Sequence, residues 1–110
     1  MLIAASLPAR LRGLLRRPGF EGEILIAPCG DIHTFGMKGP IDVAFLGRDG
    51  LVLASQQNLQ PRRRLRCPGA HAVIERFSVP AASWYEPGQM VCLGVKSEEK
   101  GARYEDVPGL

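Results

Sequence analysis

The chain contains no apolar run approaching the roughly 18 residues that a membrane-spanning helix needs, so neither a span nor a membrane partner is expected. Cysteine is scarce. Cys29, Cys67 and Cys92 are odd in number, which argues against a disulfide framework. Whether Cys29 and Cys67 pair stays open, because a disulfide requires Cα atoms within about 7 Å. Lysine is also scarce, at 3 residues against 11 arginines, so the net charge of +3 is carried by planar guanidinium groups suited to carboxylate and phosphate. Aromatic residues make up only 6% of the chain. No phosphate-cradling glycine loop, paired zinc-type cysteines, serine elbow or metalloprotease motif is present. The apolar stretch Met1 to Ala5 is very short and is followed by Pro8 and Arg10. That is a poor secretory signal, and a cytoplasmic location is expected.

What the chain does have is turn-forming residues. With 13 glycines and 9 prolines among 110 residues, many short elements are expected in place of a few long helices. Leu2 to Ala4 reads as a short strand. Leu11, Leu14 and Leu15 share one face of a helix expected over Pro8 to Arg17, stopped by Pro18-Gly19. Strands are expected over Glu23 to Ala27, Asp31 to Phe35, Ile41 to Leu46, Leu51 to Ala54, His71 to Phe77 and Gln89 to Val95. Arg48-Asp49-Gly50 supplies a tight turn. A helical turn is expected at Pro80 to Glu86, and Gln56 to Arg66 reads as irregular. The expected fold is therefore mainly β with one or two short helices (α+β), arranged as an antiparallel half-closed barrel or sandwich. Residues 1–95 are expected to form a single β-rich domain and residues 96–110 a charged tail.

Chemistry concentrates between Cys29 and Asp42, where ionisable and sulfur-bearing groups interrupt an apolar stretch. Polar groups embedded in a strand pair must be hydrogen-bonded, exposed or functional. Cys29, His33 and Met37 are four apart, a set of soft-metal ligands. At about 3.3 Å per residue each four-residue step nevertheless spans about 13 Å, too far for one ion to take all three unless the chain folds back, so no metal and no cofactor is expected. His33 and Asp42 are expected to face each other across the connection Gly36 to Pro40, with Cys29 as a candidate nucleophile beside them. Glu75 lies in an apolar strand, with Arg12 or Arg16 as its expected partner. Arg62, Arg63, Arg64 and Arg66 form the densest basic run. Such a run can contact phosphate backbones, but no stacking aromatic lies inside it, and a solvated loop is the simpler reading.

Three blocks resemble the bacterial and archaeal family called domain of unknown function 192. They are Arg10 to Arg17, then Pro28-Cys29 with Ile32 to Met37 and Pro40 to Leu46, and finally Ala70 to Glu75. The resemblance runs from about Ala4 to about Leu93, in the family's order. It implies a compact β-rich domain with small helices, and no particular reaction, substrate or cofactor. The chain departs from the family at Gly47 and Gln89, where the family carries aspartate, and at Arg76 to Pro80, after Glu75.

The reading that follows is a small binding or accessory module. Its candidate cleft is formed by Cys29, His33, Met37, Asp42 and Glu75, and its partner is a small molecule or a protein, with nucleic acid disfavoured. The alternatives are a cysteine-dependent enzyme using Cys29 and His33, and phosphate or nucleic-acid association through Arg62 to Arg66.

Overall fold

The computed structural model describes residues 1–5, 20–92, 95–97 and 104–105. In chain order the strands are β1 (Leu2–Ala4), β2 (Ile24–Ile26), β3 (Asp31–His33), β4 (Ile41–Leu46), β5 (Val52–Leu59), β6 (Arg64–Arg66), β7 (Ala72–Phe77), β8 (Val95–Ser97) and β9 (Tyr104–Glu105). Seven of them form one sheet in the order β5-β4-β7-β2-β1-β8-β9, while β3 and β6 form a separate two-stranded ribbon. The half-closed barrel or sandwich expected from the sequence is corrected here to an open sheet. β1 pairs in parallel with β2 on one side and β8 on the other, so it extends the sheet instead of closing it. The helix expected over Pro8 to Arg17 lies outside the described residues. At Pro80 to Glu86 the expected helical turn is replaced by a turn at Pro80–Ala81 followed by irregular chain.

Both faces of the sheet are covered, which explains why its central strands read as nearly unbroken apolar runs. One face presents Ala4, Ile24, Ile26, Ile41, Val43, Phe45 and Val73, and the ribbon packs on it through Ile32 and Leu65. The other presents Leu25, Ala44, Leu46, Val52, Ala72 and Ile74, and is covered by Trp84, Tyr85 and Val91 from the segment after β7. Because side chains alternate along a strand, neighbouring residues of β4 belong to opposite faces. That alternation decides the fate of Asp42.

β5 begins after a turn in which the Gly50 N–H donates to the Gly47 carbonyl and the Leu51 N–H to Asp49 Oδ1. Gly50 has φ +92, and a Cβ there would lie 2.7 Å from the Val91 carbonyl oxygen, so this turn requires glycine. β5 continues well past Ala54, the end expected from sequence, and reaches Leu59 through a bulge. Ile41 pairs with Leu59 but Val43 with Gln56, which leaves Gln57 and Asn58 opposite Asp42. Asn58 has φ 58, the left-handed conformation that asparagine tolerates better than most residues.

Candidate functional site

A β-bulge displaces backbone groups from the ladder, and buried groups so displaced need other partners. Asp42, only 1% exposed, supplies one of them. Its Oδ1 accepts from the Asn58 N–H at 2.8 Å and from Ser78 Oγ at 2.7 Å, and its Oδ2 accepts from Arg76 Nε at 2.8 Å. A second partner comes from Trp84, whose Nε1–H donates to the Val43 carbonyl at 2.8 Å. Arg76 ties the two together: its guanidinium lies 4.5 Å from the centre of the Trp84 ring, and Nη2 donates to the Ser83 carbonyl. Tyr85 stacks edge-on against Trp84 at 4.9 Å and donates to Glu23 Oε1 at 2.8 Å. Burial, reinforced by the Glu23 carboxylate, pushes the Tyr85 phenol well above its usual range and keeps it an O–H donor.

An open groove of about 610 Å³ lies beside this knot, lined by Pro40, Asn58, Ser78, Val79, Ala82 and Ser83 among others. Its polar groups are engaged with one another. Ser78 donates to Asp42, Gln57 Nε2 donates to the Ala82 carbonyl, and the Ser83 carbonyl accepts from Arg76. The arrangement holds the chain after β7 against the bulge and leaves few groups to bind a ligand.

The residues expected to converge with Asp42 lie elsewhere. His33 is on β3, exposed, with Phe35 as its ring neighbour at 5.7 Å. Met37 and Cys29 are partly buried against the ribbon-side core. The Cys29 thiol donates to the Asp31 carbonyl at 3.4 Å. Cys29 and Cys67 do not form a disulfide with each other. Glu75 is buried on β7, and its expected partners Arg12 and Arg16 lie outside the described residues. Among the described residues no three His, Cys, Asp or Glu side chains come together as metal ligands.

A different set of residues does come together. The segment expected to be irregular, Gln56 to Arg66, contributes the end of β5 and all of β6, and β6 pairs antiparallel with β3. Asp31 lies opposite Arg66 and His33 opposite Arg64, while Ile32 and Leu65 face inward. Asp31, His33, Arg64 and Arg66 therefore form one exposed outer face. Arg64 grips Asp31 with both arms of its fork, Nε donating to Oδ1 at 3.1 Å and Nη2 to Oδ2. That hydrogen bonding holds the Asp31 carboxyl below its usual value. Among the described residues no hydrogen bond or ion pair engages the guanidinium groups of Arg62, Arg63 or Arg66.

Thr34 fixes the turn that carries them. It is fully buried, its hydroxyl donates to the Gln60 carbonyl at 2.7 Å and accepts from the Arg63 N–H at 2.9 Å. Its backbone accepts from the Arg62 N–H and donates to the Arg63 carbonyl. Thr34→Val keeps the shape and removes the hydroxyl, so the part-buried Gln60 carbonyl and Arg63 N–H lose that partner. It is expected to cost about 0.5–1.5 kcal/mol in urea unfolding and to speed amide exchange at Arg63. A variant as stable as the parent would show that the hydroxyl does not hold this turn.

The sequence carried a signal for this face that the irregular reading passed over. Asp31-Ile32-His33-Thr34-Phe35 alternates exposed and buried, and Arg64-Leu65-Arg66 alternates exposed and half-buried. Phe35, which is 54% exposed, lies in the turn after β3 with its ring beside that of His33.

Comparison with known proteins adds a family and a fold. Residues 1–87 match the model of the DUF192 family, described as an uncharacterized ACR. No curated protein matches the chain. A crystal structure of a protein of unknown function from Novosphingobium aromaticivorans is similar with a TM-score of 0.61 at 21% identity, covering 69% of this chain. The chain spans only 61% of that protein. A crystal structure of a candidate transcription regulator from Sinorhizobium meliloti is similar with a TM-score of 0.61 at 17% identity, covering 70% of this chain and 67% of the other. At these identities the likeness shows a shared fold alone. Among the described residues no helix is long and apolar enough to cross a membrane.

Proposed function

The chain belongs to the DUF192 family of uncharacterised proteins, and we propose that it is a binding module that takes an anionic partner on the outer face of the β3–β6 ribbon. One observation carries this reading: the ribbon and the turn that leads into β6 expose Arg62, Arg63, Arg64 and Arg66, and among the described residues Asp31 is the carboxylate paired with them, through Arg64. A solvated basic loop would not need Ile32, Leu65 and the buried Thr34 to hold it in place. Ion pairs on a surface stabilise a fold little, so folding gains little from clustered guanidinium groups. Their fork geometry suits phosphate and carboxylate.

This reading moves the binding surface away from the cleft expected at His33, Met37 and Asp42. The oxygens of Asp42 already accept three donors, whereas His33 remains on the exposed face. Cysteine catalysis has less support. A reactive thiolate is favoured beside a cation or at a helix N-terminus, and the Cys29 thiol instead donates to a backbone carbonyl.

The test uses a generic polyanion. Fluorescently labelled heparin should bind the full chain with an affinity that falls as salt rises. Arg63→Glu with Arg66→Glu should weaken binding at least about tenfold and flatten the salt dependence by about two contacts. Their side chains lie outside the core, so the melting temperature should hold. An affinity indifferent to salt or to both substitutions would remove the proposal.

A further inference from the structure

The ribbon carries more than charge, and resting on the anionic-partner reading, we infer that its partner is single-stranded nucleic acid. Bases would stack on Phe35 and His33 while Arg62, Arg63 and Arg66 contact phosphates. Phe35 is among the few large apolar side chains left in solvent, at 54% exposure. Its ring lies 5.7 Å from that of His33 at a tilt of 43°, and His33 shares the outer face of the ribbon with Arg64 and Arg66. Neither ring adds to the core. The basic run contains no aromatic in sequence, but the fold brings one to it, because the backbone of Thr34, the residue between the two rings, bonds to Arg62 and Arg63.

Rings interleaved with cations are what an unpaired strand requires. Successive bases offer π faces that stack on aromatic side chains, and the backbone follows a positive groove. A duplex hides those faces inside its own stack, and an acidic protein segment offers no regular succession of π faces along its charged backbone. Arg62 adds a conformational observation. Its φ of 64 puts a non-glycine residue in the left-handed region, which costs of order 1–3 kcal/mol unless its surroundings fix it there. Thr34 fixes it, and the guanidinium is presented outward on a rigid turn.

Fluorescence anisotropy of the full chain with a labelled single strand of about 12 nucleotides tests this. The comparison ligands are the duplex of the same length and heparin. Binding of the single strand is expected, with a slope of log affinity on log salt near −2 for three phosphate contacts. Phe35→Ala should weaken single-strand binding about 5- to 100-fold with the slope unchanged, and Phe35→Trp should restore it. Val79→Ala, an exposed apolar side chain at 52% away from the ribbon, should change nothing. Equal loss of heparin affinity in Phe35→Ala, or preference for the duplex, would overturn the inference while leaving the anionic-partner reading in place. So would a Phe35→Ala protein that binds the single strand like the parent. Failure to bind any of the three polyanions would overturn both.

Discussion

Asp42→Ala is expected to cost about 3–5 kcal/mol of folding stability, the range for removing one partner of a buried ion pair. A domain of this size is stable by about 5–15 kcal/mol in total, so the variant loses a large share of its stability and should melt well below the parent. The loss has three sources. Arg76, with its side chain only 15% exposed, keeps its charge and loses its carboxylate. The Ser78 hydroxyl loses its acceptor, and the Asn58 N–H at the bulge has no ladder partner to return to. Asp42→Asn separates these sources. The asparagine oxygen can still accept from Asn58 and Ser78, since both donate to Oδ1, but an amide N–H₂ would then face Arg76 Nε where Oδ2 now accepts. Its cost should be smaller, about 1–3 kcal/mol. His33→Ala serves as the contrast and should leave stability within about 0.5 kcal/mol, as surface substitutions usually do. Urea unfolding of the three variants checks the order. If Asp42→Ala and His33→Ala prove equally mild, Asp42 is not the residue that closes the bulge.

The sequence made β4 legible to the residue, because Ile41 to Leu46 lies in the sheet interior with both faces covered and so reads as a continuous strand. β5 was cut short for the opposite reason. Gln56, Gln57 and Asn58 sit at a sheet edge, where polar side chains are tolerated and protect against pairing with other chains. Pro61 and the arginines hid β6, although Arg64-Leu65-Arg66 has the alternation of a half-buried strand. The expected meeting of His33 and Asp42 failed on parity. Ile41, Val43 and Phe45 face the ribbon, so Asp42 between them faces the side where Trp84 lies. Nothing local in the sequence says which face of the sheet a ribbon from β3 will cover. The same lack of long-range information separated Phe35 from the arginines in the linear reading. What links them is the hydrogen bonding of Thr34, the residue before Phe35, to a turn nearly thirty residues away.

Trp84→Ala is expected to match Asp42→Ala in size, at about 3–5 kcal/mol. The half-buried indole packs against the apolar cluster on the second face of the sheet, and its removal uncovers part of that face. It also leaves the Val43 carbonyl without its N–H donor at the bulge, and Arg76 without the ring it lies over. Trp84→Phe keeps most of the apolar filling but has no N–H, so its cost isolates that hydrogen bond and should fall to about 1–3 kcal/mol. Since Arg76 contacts both Asp42 and Trp84, the two sites should not be additive. The double variant Asp42→Asn with Trp84→Phe is expected to show a coupling of about 0.5–3 kcal/mol. Trp84 is the single tryptophan of the chain, so the emission of the Asp42→Asn protein provides an independent reading. If Arg76 links the carboxylate to the ring, weakening the ion pair shifts that emission while the domain is still folded. Additive energies with unchanged emission would mean that the bulge and the strap over it are held separately, and that Arg76 joins them in geometry but not in energy.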